Sequence, residues 1–533
     1  MSKNLEKNRD KAAKGAVYLT LSVLIVKIIG FVYKLPISYL IGDEGMGYFN
    51  TAYTVFSFFY LICTGGVPKA VSLLVAEESG KGSDERGVKI LSYTVRLFSV
   101  IGAILTLVLL LFANPIAALI GNSLAGFSLV CIAPSLLFVA SGGVLRGYLN
   151  GKMKLSAVAV SSLLEGVFKF ILGLSFAILG VRLGFSVPII SGLTILGISI
   201  SSFISTFILY LYCRKSLAKR TEEKYSDERA NILRALFKIA LPITMSTAVS
   251  GLSSMIDLSL IMRRLLSLGL SEPEAGALYG NYTTLALPLL SFATSLLVPI
   301  CTACAPLIAS DFAKRDFNSV KENAEKFFKA TAFFAIPASL GFLFFGEEIL
   351  LLLFEDSSAK IAAPMLFALS PSVVFLSVLT LVNTFLEAIG RTKSALFSMV
   401  IGCGVKVILS YILLGNDEVS ILGAPISTTV SYAVSMLISV LIFYKSTGCL
   451  ITAQRSLFKI GLISLVSVSS ARALYLAIGE RENFSLDFIF CVFLCVAVYL
   501  FLSMLFEIFE PKTTENMSNM TKNSMNNWKK SRN

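Results

Sequence analysis

Long apolar runs recur from one end of this chain to the other, and short polar segments separate them. Fourteen runs reach the length of about twenty residues that an α-helix needs to cross a bilayer. They lie at about 15–41, 48–76, 90–113, 123–145, 155–180, 187–213, 235–265, 277–309, 327–353, 361–388, 394–415, 421–444, 456–479 and 485–509. The runs are continuous rather than alternating, which predicts helices and not the strands of a membrane barrel. The chain is therefore expected to be an all-α polytopic membrane protein whose backbone groups are satisfied within helices. The polar N-terminus, MSKNLEKNRDKAAK, is long, and the first run has no small-residue cleavage site, so that run reads as a retained anchor.

The polar segments carry charge unevenly. Those after even-numbered runs are basic, with Lys81, Arg86 and Lys89, then Arg146, Lys152 and Lys154, then Arg214, Lys215, Lys219 and Arg220, and later Lys314, Arg315, Arg391 and Lys393. Those after odd runs, such as Gly42–Gly47, Asn114–Asn122 and Gly415–Ser420, have almost no Lys or Arg. By the positive-inside rule both termini are expected in the cytoplasm. The outward segments are too short for an external catalytic domain. The expected organisation is a basic N-terminus (1–14), an N-terminal lobe of six spans (15–213), a cytoplasmic linker (214–234), a C-terminal lobe of six spans (235–444), two last spans (456–509) and a basic tail (510–533).

The two lobes repeat each other. Tyr48-Phe49-Asn50 and Val67-Pro68 recur as Tyr279-Gly280-Asn281 and Val298-Pro299 at one offset of 231 residues. Gly151-Lys152-Met153-Lys154-Leu155-Ser156-Ala157 is echoed by Gly390-Arg391-Thr392-Lys393-Ser394-Ala395. Six spans is an even number, so the repeat is parallel, and such halves enclose a cavity open to one side at a time. Asn50 and Asn281, equivalent in the repeat, join the candidate ligand groups.

Of 533 residues, 55% are hydrophobic and 15% charged, against about 25% charged in soluble domains. The net charge of +13 follows the topology and gives no support to nucleic-acid binding. The tail Pro511–Asn533, with Lys512, Lys522, Lys529, Lys530 and Arg532, is expected to be disordered and to touch anionic headgroups. Nine cysteines are scattered through apolar runs, Cys301 and Cys304 lack a second pair, and the chain has no histidine. No metal site or cofactor is expected. Any proton coupling would use Asp, Glu or Lys.

Charges inside the spans stand out against this background. Lys27 and Lys34 are seven residues apart, nearly two turns, and share one face of the first span. A charge near the bilayer centre costs at least about 2.5–3.5 kcal/mol, so that face should meet water, a counter-charge or an anionic ligand. Glu165 and Lys169 have the i,i+4 spacing of an ion pair, either structural or part of a gate or coupling site. Asp257 shares a face with Arg264; Arg263 and Arg264 either snorkel outward or face a cavity. Lys406 is also deep. Pro36, Pro68, Pro242, Pro288 and Pro299 fall in the first, second, seventh and eighth spans, as packing kinks or as points of bending. Pro36, Pro68 and Pro299 are candidate gating positions alongside Glu165 and Lys169. No nucleotide-binding or nucleophile motif is present, which argues for a transporter rather than an enzyme.

Gly30-Phe31-Val32-Tyr33-Lys34-Leu35-Pro36, Gly45-Met46-Gly47-Tyr48-Phe49-Asn50 and Gly65-Gly66-Val67-Pro68 resemble the stage V sporulation protein B group of polysaccharide-biosynthesis membrane proteins. Leu145-Arg146-Gly147-Tyr148-Leu149-Asn150-Gly151 resembles that group's cytoplasmic loop motif, and Ala286-Leu287-Pro288 with Val298-Pro299 extends the likeness along almost the whole chain. The group belongs to the multidrug/oligosaccharidyl-lipid/polysaccharide exporter superfamily. The resemblance implies two six-helix lobes in a V, alternating access, and a polyprenyl-pyrophosphate-linked glycan as substrate, above all the peptidoglycan precursor lipid II. It implies a lipid-tail groove formed by the last two spans, and cell-wall synthesis proteins as partners beside the bilayer itself. It assigns Lys27 and Lys34 to the cavity-facing cations of the first helix. The flippases of Gram-negative bacteria favour arginines there and another at the start of the eighth span, where this chain reads Asn281-Tyr282-Thr283. Either Arg263 or Arg264 compensates, or the substrate differs. A cation-coupled multidrug extruder using Asp257, and a non-transport scaffold for wall or spore synthesis, are the competing readings.

Overall fold

The computed structural model describes residues 2–81, 84–217, 226–295, 297–449, 454–478 and 484–506. These are helical, without a strand among the described residues. In chain order the first helices are α1 (Ser2–Thr64), α2 (Val67–Gly80), α3 (Asp84–Ile120), α4 (Gly126–Ile132), α5 (Ser135–Gly151), α6 (Leu155–Arg182) and α7 (Val187–Leu217). Then come α8 (Ser226–Ser267), α9 (Glu272–Asn281), a π-helical turn (Tyr282–Ala286), α10 (Leu287–Ser295), α11 (Val298–Ala313) and α12 (Phe317–Leu353). The last are α13 (Asp356–Leu369), α14 (Ser372–Ala388), α15 (Thr392–Leu413), α16 (Gly423–Thr447), α17 (Gln454–Ile478) and α18 (Phe484–Leu505).

Eleven helical segments among the described residues are long and apolar enough to cross a membrane, and two bent pairs, α4 with α5 (41°) and α13 with α14 (48°), raise the number to thirteen. The segment Ile25–Gly80 has 56 residues. At 1.5 Å per residue it is far longer than a hydrocarbon core of about 30 Å. It therefore holds both of the first two expected spans, and the chain is an all-α polytopic membrane protein. The break falls at Gly42, with φ 68° and ψ −179°, inside the expected outer loop; only glycine enters that region without strain. The middle of the expected linker, 218–225, and the tail from Pro511 onward lie outside the described residues.

The expected proline kinks take two forms. Pro36 sits within α1 and Pro242 within α8. Pro68 and Pro299 instead occupy the first turns of α2 and α11, where a missing N–H costs nothing. The interruption before α2 is at Gly65 and Gly66, which are not helical. The two members of the repeat thus place Val-Pro at the same local position, the start of a new helix.

The chain forms two units. The first comprises Met1–Phe292, Ile349–Ser372 and Thr392–Ile438; the second comprises Ala293–Glu348, Val373–Arg391 and Ser439–Asn533. In the first unit Cys63, Val67, Val71, Leu91, Val144 and Leu236 belong to one buried apolar cluster joining the end of α1 with α2, α3, α5 and α8. α1 also meets α9 almost backbone to backbone. A Cβ on Gly47 would lie 2.2 Å from the Gly276 carbonyl oxygen, and one on Gly280 2.6 Å from that of Asp43. Small residues permit such an approach between membrane helices. In the second unit α12 breaks at Phe345 (φ −126°, ψ 16°), whose ring meets those of Tyr475 and Phe488 from α17 and α18.

Replacing Gly47 by Val forces α1 and α9 apart. Thermal unfolding of the purified protein is expected to show a loss of about 1–3 kcal/mol, in the range of overpacked cores. An unchanged melting temperature would mean that this contact carries no load.

Candidate functional site

Within the first unit, α1, α5, α6 and α7 wall a cavity of about 350 Å³. Its ionisable groups are Lys27 of α1, Arg146 of α5, and Glu165 and Lys169 of α6; Ser57, Ser162, Ser201 and Ser202 add hydroxyls. Apolar walls come from Val26, Phe56, Val139 and Ile198. Three cations and one carboxylate give the cavity a cationic lining that suits an anion. Lys27 is exposed and has no ion-pair partner among the described residues.

Glu165 pairs with Arg146, whose Nη2 donates to the carboxylate and also to Ser205 Oγ at 3.0 Å. Ser202 Oγ donates to the second carboxylate oxygen at 3.4 Å. The expected Glu165–Lys169 pair is therefore not formed. A guanidinium from a neighbouring helix offers the carboxylate a better donor. Lys169 lies instead between two rings, 5.3 Å from the centroid of Tyr33 and 5.2 Å from that of Tyr53, within cation–π range. Arg146 itself was expected in a cytoplasmic loop. It is inside α5, one residue beyond the end of the expected fourth span, and it lines the cavity.

Lys34 does not line this cavity. Its Nζ donates to the backbone oxygen of Thr283 at 3.0 Å. That oxygen is available for a reason. In the π-helical turn the Leu287 N–H reaches the Tyr282 oxygen, five residues back. The corresponding donor for Thr283 would be residue 288, which is Pro288 and has no N–H. Lys34 supplies the missing hydrogen bond across from the first repeat to the second.

The other candidates are likewise held by protein. Asn50 Nδ2 donates to Thr284 Oγ1 at 2.6 Å, and Asn281 Nδ2 to Asp43 Oδ2 at 3.0 Å. Both asparagines are at most 4% exposed, so they pack α1 against the π turn and α9 rather than opening onto the cavity. Asp43 also accepts from Ser358 Oγ at 2.7 Å, and Asn122 Nδ2 donates to Thr51 Oγ1 at 2.9 Å. Asp257 pairs with Lys406 of α15 at 2.8 Å, beside the Tyr279, Tyr282 and Tyr432 side chains. Arg263 donates to the Leu119 oxygen through Nε at 2.8 Å. Arg264 donates to the Tyr411 oxygen at 3.0 Å and stacks 4.2 Å over that ring. Lys27 is thus joined at the cavity by Glu165 and Lys169, two of the five expected gating residues, and by Arg146, while Pro36, Pro68 and Pro299 do not line it.

In the second unit Glu348 of α12 pairs with Arg472 of α17, a link that charge spacing along the sequence does not predict. Arg472 lies 5.5 Å from the Phe345 ring and 5.6 Å from that of Tyr475. Its position within an apolar run was the signal that could have found it.

A family profile described as polysaccharide biosynthesis protein matches residues 12–312, and one described as MatE matches residues 282–412. Stage V sporulation protein B of Bacillus subtilis (strain 168) is 23% identical over 509 residues, covering 93% of this chain and 95% of that protein. The lipid II flippase MurJ of the same organism is 25% identical over 474 residues, covering 82% of this chain and 84% of that protein. Among solved structures, a lipid II flippase MurJ in an inward closed conformation superposes with a TM-score of 0.72 at 20% identity, over 92% of this chain and 99% of that one.

The Asp257–Lys406 pair gives a direct test of how these charges are tolerated. Lys406→Met alone leaves a carboxylate without its partner and is expected to cost about 3–5 kcal/mol of stability. The double variant Asp257→Asn/Lys406→Met should recover most of that loss in thermal melts. Equal losses for the single and double variants would show that the two charges are not coupled.

Proposed function

The chain belongs to the polysaccharide biosynthesis protein family, and from that premise we propose that it is a flippase that carries an undecaprenyl-pyrophosphate-linked oligosaccharide, foremost lipid II, across the bacterial cytoplasmic membrane. The observation that carries the reading is the cationic cavity with Lys27 open on its wall. The pyrophosphate and first sugars enter from the cytoplasm while the polyprenyl chain remains in lipid. Lys27 meets the pyrophosphate through charge-assisted hydrogen bonds, which are about twice as strong as neutral ones. A cavity of about 350 Å³ is at the small end of ligand pockets and suits a diphosphate with its nearest sugar.

In this reading both termini are cytoplasmic, residues 15–213 and 235–444 act as two lobes, and spans 13 and 14 hold the lipid tail. The contacts made by Gly47, Asn50, Asp43, Asn122 and Lys34 close the outer side in the present conformation. Lys34 exchanges the Thr283 oxygen for the pyrophosphate as those contacts open. An inside-negative potential favours return of the emptied cationic cavity, since one charge crossing 100 mV is worth about 2.3 kcal/mol. The protein then acts as a transporter and not an enzyme, serving wall or spore-cortex synthesis.

A cation-coupled multidrug extruder is the second reading, favoured by the MatE match over residues 282–412. It needs a carboxylate free to take a cation. Asp257 is already neutralised by Lys406, and Glu165 by Arg146, which weighs against it.

Depleting the protein in cells with no other flippase should reduce lipid II exposed on the outer face, and Lys27→Ala/Lys34→Ala should fail to restore it. Undiminished exposure after depletion overturns the proposal. Full complementation by the double variant would instead favour a scaffold role.

A further inference from the structure

Arg146 is held in a way that leaves much of its donor capacity unused. One nitrogen, Nη2, makes both of its hydrogen bonds among the described residues, to Glu165 and Ser205. Nε is buried without a partner, and Nη1 has none among the described residues. A guanidinium has five N–H donors in a fixed fork that matches phosphate oxygens. The side chain is only 20% exposed, and that of Glu165 26%, and both line the cavity that Lys27 and Lys169 also line. A pair serving packing alone would be expected to satisfy the buried Nε as well, because unpaired buried donors are costly.

We infer that Arg146 is a further headgroup-binding residue, for the pyrophosphate of an isoprenoid-linked glycan, and that Glu165 is the internal anion that holds the guanidinium oriented while the cavity is empty. The assignment rests on the flippase reading of the cavity. Ser202 and Ser205 fix the two partners from α7, so the fork is presented rather than free to swing. Lys27 and Arg146 then approach the diphosphate from different helices, α1 and α5. When the ligand arrives, its phosphate oxygens take the open donors, and Nη2 keeps its bond to Glu165.

The test is binding of geranylgeranyl pyrophosphate to the full-length protein in nanodiscs, with geranylgeraniol as the uncharged reference. Glu165→Gln releases Arg146 and is expected to bind the pyrophosphate several-fold more tightly than the unaltered protein. Arg146→Gln/Glu165→Gln, which removes both charges together, is expected to bind about tenfold more weakly than Glu165→Gln. Ligand-induced shifts in melting temperature report on the same order should either variant be less stable. Equal affinity in the unaltered protein, the single variant and the double variant overturns the assignment and leaves Arg146–Glu165 as a structural pair. Lys27→Gln separates the two levels of the argument. If the unaltered protein does not prefer the pyrophosphate over the alcohol, the reading of the cavity itself fails. If it does, and Lys27→Gln weakens binding while the Arg146 variants do not, only the role of Arg146 fails.

Discussion

A charge held within the hydrocarbon thickness must be answered by something other than lipid, and the described architecture can be followed through the answers this chain has found. Asp257 answers Lys406, Glu165 answers Arg146, and Glu348 answers Arg472. Two aromatic rings answer Lys169, and a backbone oxygen answers Lys34. Each answer ties together different helices, most of them distant in sequence, so the charges act as selective links in a medium where apolar surfaces have little reason to prefer one another. Lys27 is different. It lies on the cavity wall without such a partner among the described residues, and solvent or ligand has to complete its environment.

The Lys34 contact shows how a sequence can build such a link from a defect. A π-helical turn shifts the hydrogen-bond register by one residue, and Pro288 removes the donor that the shifted register calls for. The Thr283 oxygen is then orphaned in the membrane, where an unsatisfied carbonyl costs several kcal/mol. Lys34 has the opposite problem, a cation needing an acceptor. Each relieves the other, and neither is permanently committed, because an anionic ligand could replace the carbonyl and water could replace the lysine. The close approach of Gly47 to Gly276 and the buried Asn50–Thr284 bond lie on the same helices. The joint between the first and second repeats thus combines a close glycine approach and polar side-chain bonds with the buried apolar cluster that ties α2 to α8.

Much of the architecture was legible from periodicity and loop chemistry. The apolar runs gave the helices, and the turn at Gly42 falls in the short segment Gly42–Gly47 expected between the first two spans, whereas Pro68 and Pro299, expected as kinks inside spans, begin α2 and α11 because a first-turn proline has no N–H to lose. The site was less legible because spacing on one helix competes with neighbours on others. Glu165 and Lys169 satisfy the i,i+4 rule, yet a guanidinium from α5 captures the carboxylate. Arg146 was hidden by its position at the edge of an apolar run, where a positive-inside reading absorbs it. Asn50 and Asn281 were found through the repeat, but equivalence in a repeat marks shared structure as readily as shared ligand, and both are buried in helix packing.

The balance of charge on the cavity bears on which anion would fit. Lys27, Arg146 and Lys169 against Glu165 leave a formal excess of two positive charges. A pyrophosphate esterified at both ends carries two negative charges, so lining and ligand neutralise each other. A singly charged phosphodiester would leave one cation uncompensated in a low-dielectric site, and a cationic drug would meet like charge throughout. Opposite charge speeds encounter, while matched charge limits what can stay, so in the proposed function the same four residues would serve both entry and discrimination. Glu165 is what brings the excess down to two. On this argument the carboxylate is a tuning element of an anion site, and its presence in the cavity does not point toward cation transport.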